Sequence, residues 1–377
     1  MRVIVVGLGG VGAMAAWRLA MAGHEVTAVE QFRIDHDGGS SYGDSRIVRR
    51  VYPSPVYTGL MGAAYDLWDD LMAGAGDPEI FVRSGGIFFG PLDNPDVIAA
   101  EAALRESRVP YERLDASDCA RRFPAFRLDS SEIALFEPSM GYARASRAVR
   151  AAAALARRGG ATLLEEARVS AIDPTPQGVR VRLAGGENLE ADRLVLAAGP
   201  WAVPLLKQLG VSLPLTVTRQ PYVHLAPACE VTSFQPGDFP VWIDAAANAY
   251  GFPCLGDVPG VKIGIHDFGT AVSPETVDRT VRESDREAAR AYARRRFPCL
   301  SAQAVYEKVC LYSVTPDNDF IIDTVPGLPH ATVISACSGH GFKFTPLLGQ
   351  IAADLAVGAD PGCDLSRFRL SRFAGND

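Results

Sequence analysis

No apolar run in this sequence approaches the ~18 residues that a membrane-spanning helix needs; the densest stretches are Val3–Val6 and Ala151–Ala156. Positive charge is not in excess either. The 37 Lys and Arg stand against 44 Asp and Glu, a net charge of −7, and a nucleic-acid partner would call for a basic stripe. Cysteine never occurs at Cys-x-x-Cys spacing. Cys119, Cys229, Cys254, Cys299, Cys310, Cys337 and Cys363 are scattered and odd in number, so neither a disulfide framework nor a metal centre is expected, and most should be small core residues. Internal repeats and low-complexity tracts are also lacking. The apolar N-terminus is broken by Gly7, Gly9, Gly10 and Gly12 with no cleavage-type flank, unlike a signal peptide. A soluble, cytoplasmic protein is expected. With 377 residues, 48% apolar and 21% charged, the chain has ordinary globular composition and length for two or three domains.

What is present begins at once. Arg2–Gly7 is a β-branched run, the pattern of a strand buried on both faces of a parallel sheet. Gly7-Leu8-Gly9-Gly10-Val11-Gly12 follows, then helical spacing over Ala13–Ala22, then a second apolar run, Glu25–Val29, closed by Glu30. This is a βαβ unit with Gly-x-Gly-x-x-Gly at its first turn. Gly7 permits the turn, Gly9 lets backbone N–H groups approach a pyrophosphate, and Gly12 lets helix and strand pack closely. The helix N-terminus attracts phosphates, and the Glu30 carboxylate can accept from ribose hydroxyls. An acid there, rather than a nearby Arg, disfavours a 2′-phosphate, which leaves FAD or NAD.

Further βα elements follow in the middle and at the end of the chain. The strand-like Asp192–Ala198 runs into Gly199-Pro200-Trp201 after a helix at Ser146–Arg158 and short strands around Ala167–Ile172 and Val179–Leu183. A buried strand at Ala331–Ala336 leads through Ser338-Gly339-His340-Gly341-Phe342-Lys343 into a helix at Pro346–Ala356. Between them, Phe81–Phe89, Leu215–Leu225, Val241–Phe252, Val261–His266 and Val305–Val314 alternate, which predicts antiparallel strands with one wet face. The pattern predicts an α/β chain of two interleaved domains. One is a discontinuous Rossmann-like nucleotide domain (1–80, 141–214 and 318–377); the other is an antiparallel-sheet substrate domain (81–140 and 215–317). The charged stretch Glu275–Arg296 reads as a helix with a solvated face.

Three segments could carry chemistry. Gly39-Ser40-Ser41-Tyr42-Gly43-Asp44-Ser45-Arg46-Ile47-Val48-Arg49 turns from small to cationic, and reads equally as a cofactor wrap or as a surface loop. In Lys262-Ile263-Gly264-Ile265-His266, Lys262, Gly264 and His266 share one strand face, which suggests a cavity, although a lone His is more often structural. Cys310-Leu311-Tyr312 lies on a strand ahead of Asp317–Asp323, where a buried Cys is ordinarily inert.

Together these segments, with Leu196–Trp201, Tyr250–Pro253 and Ser338–Phe344, resemble the monomeric sarcosine oxidase family of FAD amine oxidases. That family includes N-methyltryptophan, L-pipecolate and fructosyl amino acid oxidases. Asp44–Tyr52 and Ser338–Lys343 are the most specific stretches, while Arg46–Tyr57 and Phe368–Phe373 look nearest to pipecolate-type members. The resemblance implies a D-amino acid oxidase/glutathione reductase-like architecture and a monomer. It also implies oxidation of a secondary or cyclic amino acid by a hydride equivalent passed to flavin N5. Oxygen would be reduced to hydrogen peroxide and the imine hydrolysed. The alternatives it leaves are a fructosyl or primary-amine oxidase and a dehydrogenase with another acceptor. By position, Cys310 matches the cysteine that joins the flavin through a thioether. Arg46 and Lys262 match residues against the isoalloxazine, the lysine being tied to oxygen reduction. Arg49 and Lys343 match the pair that holds the substrate carboxylate, and Tyr250, His266 and Tyr312 match the cavity lining. The implied cofactor contacts are Gly7, Gly9, Gly12, Glu30, Gly39, Ser40, Ser45, Arg46, Val169, Gly199, Trp201, Cys310, Gly339, Gly341, Phe342 and Lys343.

Elementary chemistry agrees with those roles. A carboxylate taken out of water needs a guanidinium, and an ammonium adds a second charge. Tyrosine faces tolerate an amine cation. A helix beginning after Gly339–Lys343 would aim its positive end at a reduced flavin. The chain departs from the family at Ser41 and Tyr42, where histidines are common, and at Ser45, which replaces a threonine. Trp242 sits near the expected cavity strand, and pattern leaves its direction open.

Overall fold

The computed structural model describes residues 1–208, 210–228, 231–256, 258–267, 269–336 and 338–373. Cys229 and Cys337 lie outside the described residues; Cys119, Cys254, Cys310 and Cys363 are free thiols.

A six-stranded sheet runs in the order Ile321–Val325, Leu328–Ser335, Arg193–Leu196, Arg2–Val6, Glu25–Val29, Thr162–Leu164. Its neighbours are parallel except for the hairpin formed by the first two strands. The unbroken apolar run at the N-terminus is explained by its central place. Val3 and Val5 face helices Gly10–Met21, Pro55–Ala75, Ala145–Arg158 and Thr345–Val357, whereas Ile4 and Val6 face the small sheet Val169–Thr175, Gly178–Leu183 and Asn188–Ala191. Each fully buried large apolar side chain contributes about 1.5–3 kcal/mol relative to exposure. Helix Pro55–Ala75, which periodicity did not single out, starts with Pro in its first turn and ends on Gly76 at φ 67°. Its Trp68 is fully buried, and Nε1 donates to the Lys343 backbone O at 2.8 Å. That bond ties a core helix to the turn carrying Lys343.

The second large sheet has eight strands, drawn from residues 86–137 and 216–314: Leu300–Val314, Thr216–Pro227, Val261–Ile265, Ala249–Phe252, Val241–Asp244, Gly86–Pro91, Glu132–Glu137, Glu112–Leu114. Three expectations change here. Gly86–Pro91 pairs parallel with Val241–Asp244, although its other neighbour is antiparallel. The run Phe81–Phe89 also divides: Gly85 at φ 76° turns the chain, and Phe81–Val82 joins Arg46–Val48 and Gly141–Ala143 in a separate three-stranded sheet. Similarly, Val241–Phe252 is a hairpin, with Asn248 at φ 47° in its turn.

The charged helix is shorter than expected and less solvated. It spans Glu283–Arg296, and the Asp285 carboxylate accepts from Arg282 N at 2.8 Å to start it. The preceding segment is held by Arg219, whose Nε donates to the Asp278 O at 3.2 Å. Arg296 is fully buried, forked onto Glu132 (2.5 and 2.7 Å) and bonded to Asp244 at 3.0 Å. Asp244 Oδ1 in turn accepts from Ala246 N and Ala247 N, which shapes the hairpin turn. Among the described residues, no helix is long and apolar enough to cross a membrane, and no cluster of potential metal ligands occurs.

Candidate active site

The first cleft opens at the carboxyl ends of the parallel strands. Gly7, at φ 93°, makes the turn, and a Cβ on Gly12 would lie 1.8 Å from the Gly7 O. Gly12 thus sets the strand–helix approach and does not line the cleft. A Cβ on Gly9 would meet only Ser41, at 3.2 Å to Oγ, so the space above it belongs to the cleft. Ser41 Oγ accepts from Gly10 N at 3.0 Å. Glu30 is buried; its oxygens accept from Leu8 N (2.9 Å) and Phe32 N (3.1 Å), which aims the carboxylate into the cleft that it lines.

The same cleft is lined by Gly39, Ser40, Val169, Gly199, Trp201 and Gly341. The segment from Gly39 is therefore a wrap rather than a free surface loop: Ser40 Oγ donates to the Leu311 O at 2.7 Å. Two further lining residues had no sequence signal. His36 Nε2 stands 3.6 Å from Glu30 Oε1, and Thr345 Oγ1, at the head of helix Thr345–Val357, is buried without a hydrogen-bond partner. The N-terminus of that helix, beside a glycine-cradled cleft, fits the polar edge of a bound dinucleotide.

A second cavity meets the first at Arg46, Cys310, Tyr312, Gly339 and Phe342, which line both. Gly339 is required by closeness, because a Cβ there would lie 2.4 Å from Tyr312 and 2.5 Å from His266. Tyr250, Lys262, His266, Arg49 and Lys343 line the second cavity. Ser45 and Lys343, expected against the cofactor, line this cavity and not the cleft. Ser45 Oγ accepts from Lys262 Nζ at 3.0 Å. The strand alternation holds, since Ile263 and Ile265 face the opposite core. Trp242 also points away, stacked on Tyr292 at 5.1 Å, so that Ile243 and not the indole borders the cavity. Tyr42 does not line either space. Its Oη donates to the Val309 O at 2.9 Å, and its ring packs beside Cys310 and Tyr222.

Four cations converge here, and none has an acidic ion-pair partner among the described residues. Arg46 donates to the Ser45 O and Ser40 O (2.8 and 2.9 Å), with Nη2 3.9 Å from Cys310 Sγ. Burial and the Arg46 charge push the Lys262 ammonium well below its ordinary pKa. Burial and Arg49 do the same to Lys343. Burial also lowers Arg49, whose guanidinium lies 3.9 Å over the Tyr52 ring and whose Nε has no partner. His266 falls to about 4 through burial and the charges of Lys343 and Arg49, so its ring is neutral at pH 7. Buried, unpaired cations cost several kcal/mol each unless an anion joins them. The arrangement is built to receive negative charge at two places, one near Arg46 and Lys262 and the other near Arg49 and Lys343.

A dinucleotide in the glycine cleft would meet the second cavity at the wall that the two share. Residues 2–355 match the family described as FAD dependent oxidoreductase. The chain is 37% identical to monomeric sarcosine oxidase of Streptomyces avermitilis, over 99% of this chain and 97% of that protein. It is 34% identical to N-methyl-L-tryptophan oxidase of Salmonella heidelberg, over 98% of each. Among solved structures it resembles the open form of NikD, an unusual amino acid oxidase essential for nikkomycin biosynthesis, with TM-score 0.85 and 28% identity, over 97% and 96% of the two chains. The chain belongs to the FAD-dependent oxidoreductase family and, within it, to the family of monomeric sarcosine oxidase and N-methyl-L-tryptophan oxidase. It is an enzyme acting on amine CH–N bonds, and of the two cofactors that the glycine turn left open, FAD is the one.

Proposed function

We propose that this chain oxidises the C–N bond of a secondary or cyclic amino acid whose carboxylate sits on Arg49 and Lys343. The observation that carries this reading is the buried pair itself: two adjacent cations, no acidic ion-pair partner among the described residues, and a cavity in front of them. FAD, when bound, takes the two electrons of amine oxidation and passes them to oxygen, giving hydrogen peroxide.

The chain's own residues do the rest. Arg49 and Lys343 orient the substrate by charge-assisted hydrogen bonds. Tyr250, Tyr312 and Phe88 supply apolar walls, and a neutral His266 adds no repulsion toward an amine. With no carboxylate base required, the amine reacts in its deprotonated form. Lys262, held by Ser45, offers a fixed cation where reduced oxygen gathers negative charge. Cys310, on the shared wall beside Arg46, would hold the flavin through a thioether. The curated relatives support a substrate among N-methyl amino acids, and Trp242 facing away leaves room for a side chain. The reading extends to a monomeric cytoplasmic enzyme whose nucleotide part is 1–80, 141–214 and 318–377 and whose substrate part is 81–140 and 215–317.

The test is a panel of N-methyl, cyclic, sugar-modified and primary amino acids read by peroxide release per turnover. Secondary amino acids should lead the panel and their N-capped amides should fail. Turnover without peroxide would replace the oxidase by a dehydrogenase. Acid precipitation tests Cys310: the yellow colour should stay in the pellet, and release to the supernatant refutes the linkage.

A further inference from the structure

Lys343 is also the inner end of a directional hydrogen-bond chain. His340 Nε2 lies 3.0 Å from the backbone O of Asn318, which can only accept, so Nε2 carries the proton and Nδ1 of the neutral ring is a bare acceptor. Tyr52 Oη lies 3.3 Å from that Nδ1, and the hydroxyl donates to it. The Tyr52 oxygen then has only lone pairs to offer, and Lys343 Nζ donates to it at 2.9 Å. A second ammonium proton goes to the His340 O at 2.8 Å. Asn318 is exposed, whereas Lys343 and Tyr52 are buried. The chain of bonds thus runs from the surface to the cavity floor, and its two ends force the polarity of every member.

We propose that Tyr52 and His340 are positioning residues, a hydrogen-bond relay that holds the Lys343 ammonium toward the substrate carboxylate and accepts from its charged form. The proposal rests on the reading of Arg49 and Lys343 as the carboxylate anchor. Two carboxylates act on Arg49 from nearby: Glu137, which accepts from Arg50 N and Val51 N at 2.9 and 3.0 Å, and the exposed Asp96 at the cavity rim. Arg49 lies over the Tyr52 ring, and His266 faces Lys343 from the eight-stranded sheet. Tyr57 stacks on Tyr52 at 5.3 Å and meets His340 edge-on at 5.0 Å. Asp319 is engaged by Tyr57 Oη (2.8 Å) and Arg367 Nε (2.7 Å). Phe320 stacks on the other face of the His340 region at 4.8 Å. Burial and Arg49 make Lys343 give up its proton readily, so an arriving carboxylate must restore it.

The experiment titrates the FAD-loaded enzyme with benzoate, an amine-free carboxylate, across pH, reading the flavin absorbance. Wild-type affinity should fall about tenfold per pH unit above a bend that marks the Lys343 proton. Tyr52→Phe removes an acceptor of the charged form, so the bend should move about one pH unit lower, with affinity on the acid side within about threefold of wild type. His340→Gln, which can still donate to Asn318 and accept from Tyr52, should keep the bend nearer wild type than His340→Leu does. Lys343→Met should abolish the bend, and adding Tyr52→Phe to it should change nothing more. A uniform loss at every pH, or a bend left in place by Tyr52→Phe and His340→Leu, overturns the relay. Full benzoate affinity in Lys343→Met overturns instead the anchor reading beneath it.

Discussion

Arg49→Ala is the sharpest perturbation of the carboxylate site. In the native structure the guanidinium stacks over Tyr52 at 3.9 Å, one nitrogen is committed to the Val51 O, and Nε has no partner. Its remaining donors face a cavity in which a carboxylate would take charge-assisted bonds, each worth about 1.5–3 kcal/mol. Losing two bonds at the weak end of that range costs about 3 kcal/mol, or about 150-fold in Kd. A partial offset opposes this. Arg49 is one of the charges holding the Lys343 ammonium down, so its removal lets Lys343 carry its proton more readily and grip the ligand better. The net expectation is an affinity loss of about 100-fold. The assay is an absorbance titration of the FAD-loaded variant at neutral pH with benzoate and, in parallel, benzamide. Only benzoate should suffer, with flavin content unchanged. Equal losses for both ligands would mean that Arg49 holds the cavity's shape, and no loss for either would mean that the carboxylate binds elsewhere.

Three other outcomes follow from the geometry. Lys262→Met should slow reoxidation by oxygen about 100-fold while leaving reduction by substrate within a few fold, as measured by stopped flow; equal slowing of both half-reactions would make the lysine structural. Gly12→Ala should give no soluble yellow protein, because its Cβ would lie 1.8 Å from the Gly7 O, whereas Gly9→Ala should fold and lose FAD, its Cβ meeting only Ser41; differential scanning fluorimetry with and without FAD separates the two, and a folded Gly12→Ala would contradict the packing. Stability should fall on acidification, since burial lowers His224 to about 3, His266 to about 4 and His340 to about 3. The unfolded chain protonates these rings below about pH 6.5 and the folded one does not until far lower. Stability is therefore flat above neutrality and drops as pH falls toward 4, by about 2 kcal/mol per ring at pH 5. Urea midpoints should show this, and equal midpoints at pH 7.5 and pH 5 would refute it.

Local pattern determined a good deal. The glycine turn, the strand buried on both faces, the acid at Glu30 and the shared face of Lys262 and His266 follow from spacings of a few residues, over which backbone geometry alone decides which way a side chain points. Resemblance added Arg49, Lys343 and Cys310, positions that periodicity cannot distinguish from surface cations or an inert core thiol. Tertiary structure decided what depends on chain segments hundreds of residues apart. It turned Trp242 into the core, paired Gly86–Pro91 in parallel with Val241–Asp244, buried Arg296 against Glu132 and Asp244, and linked Tyr52 to His340 and Lys343. A sequence records each residue's own preference for water or core. Whether two buried cations end up side by side, with no acidic ion-pair partner among the described residues, is set by how the two sheets close on one another.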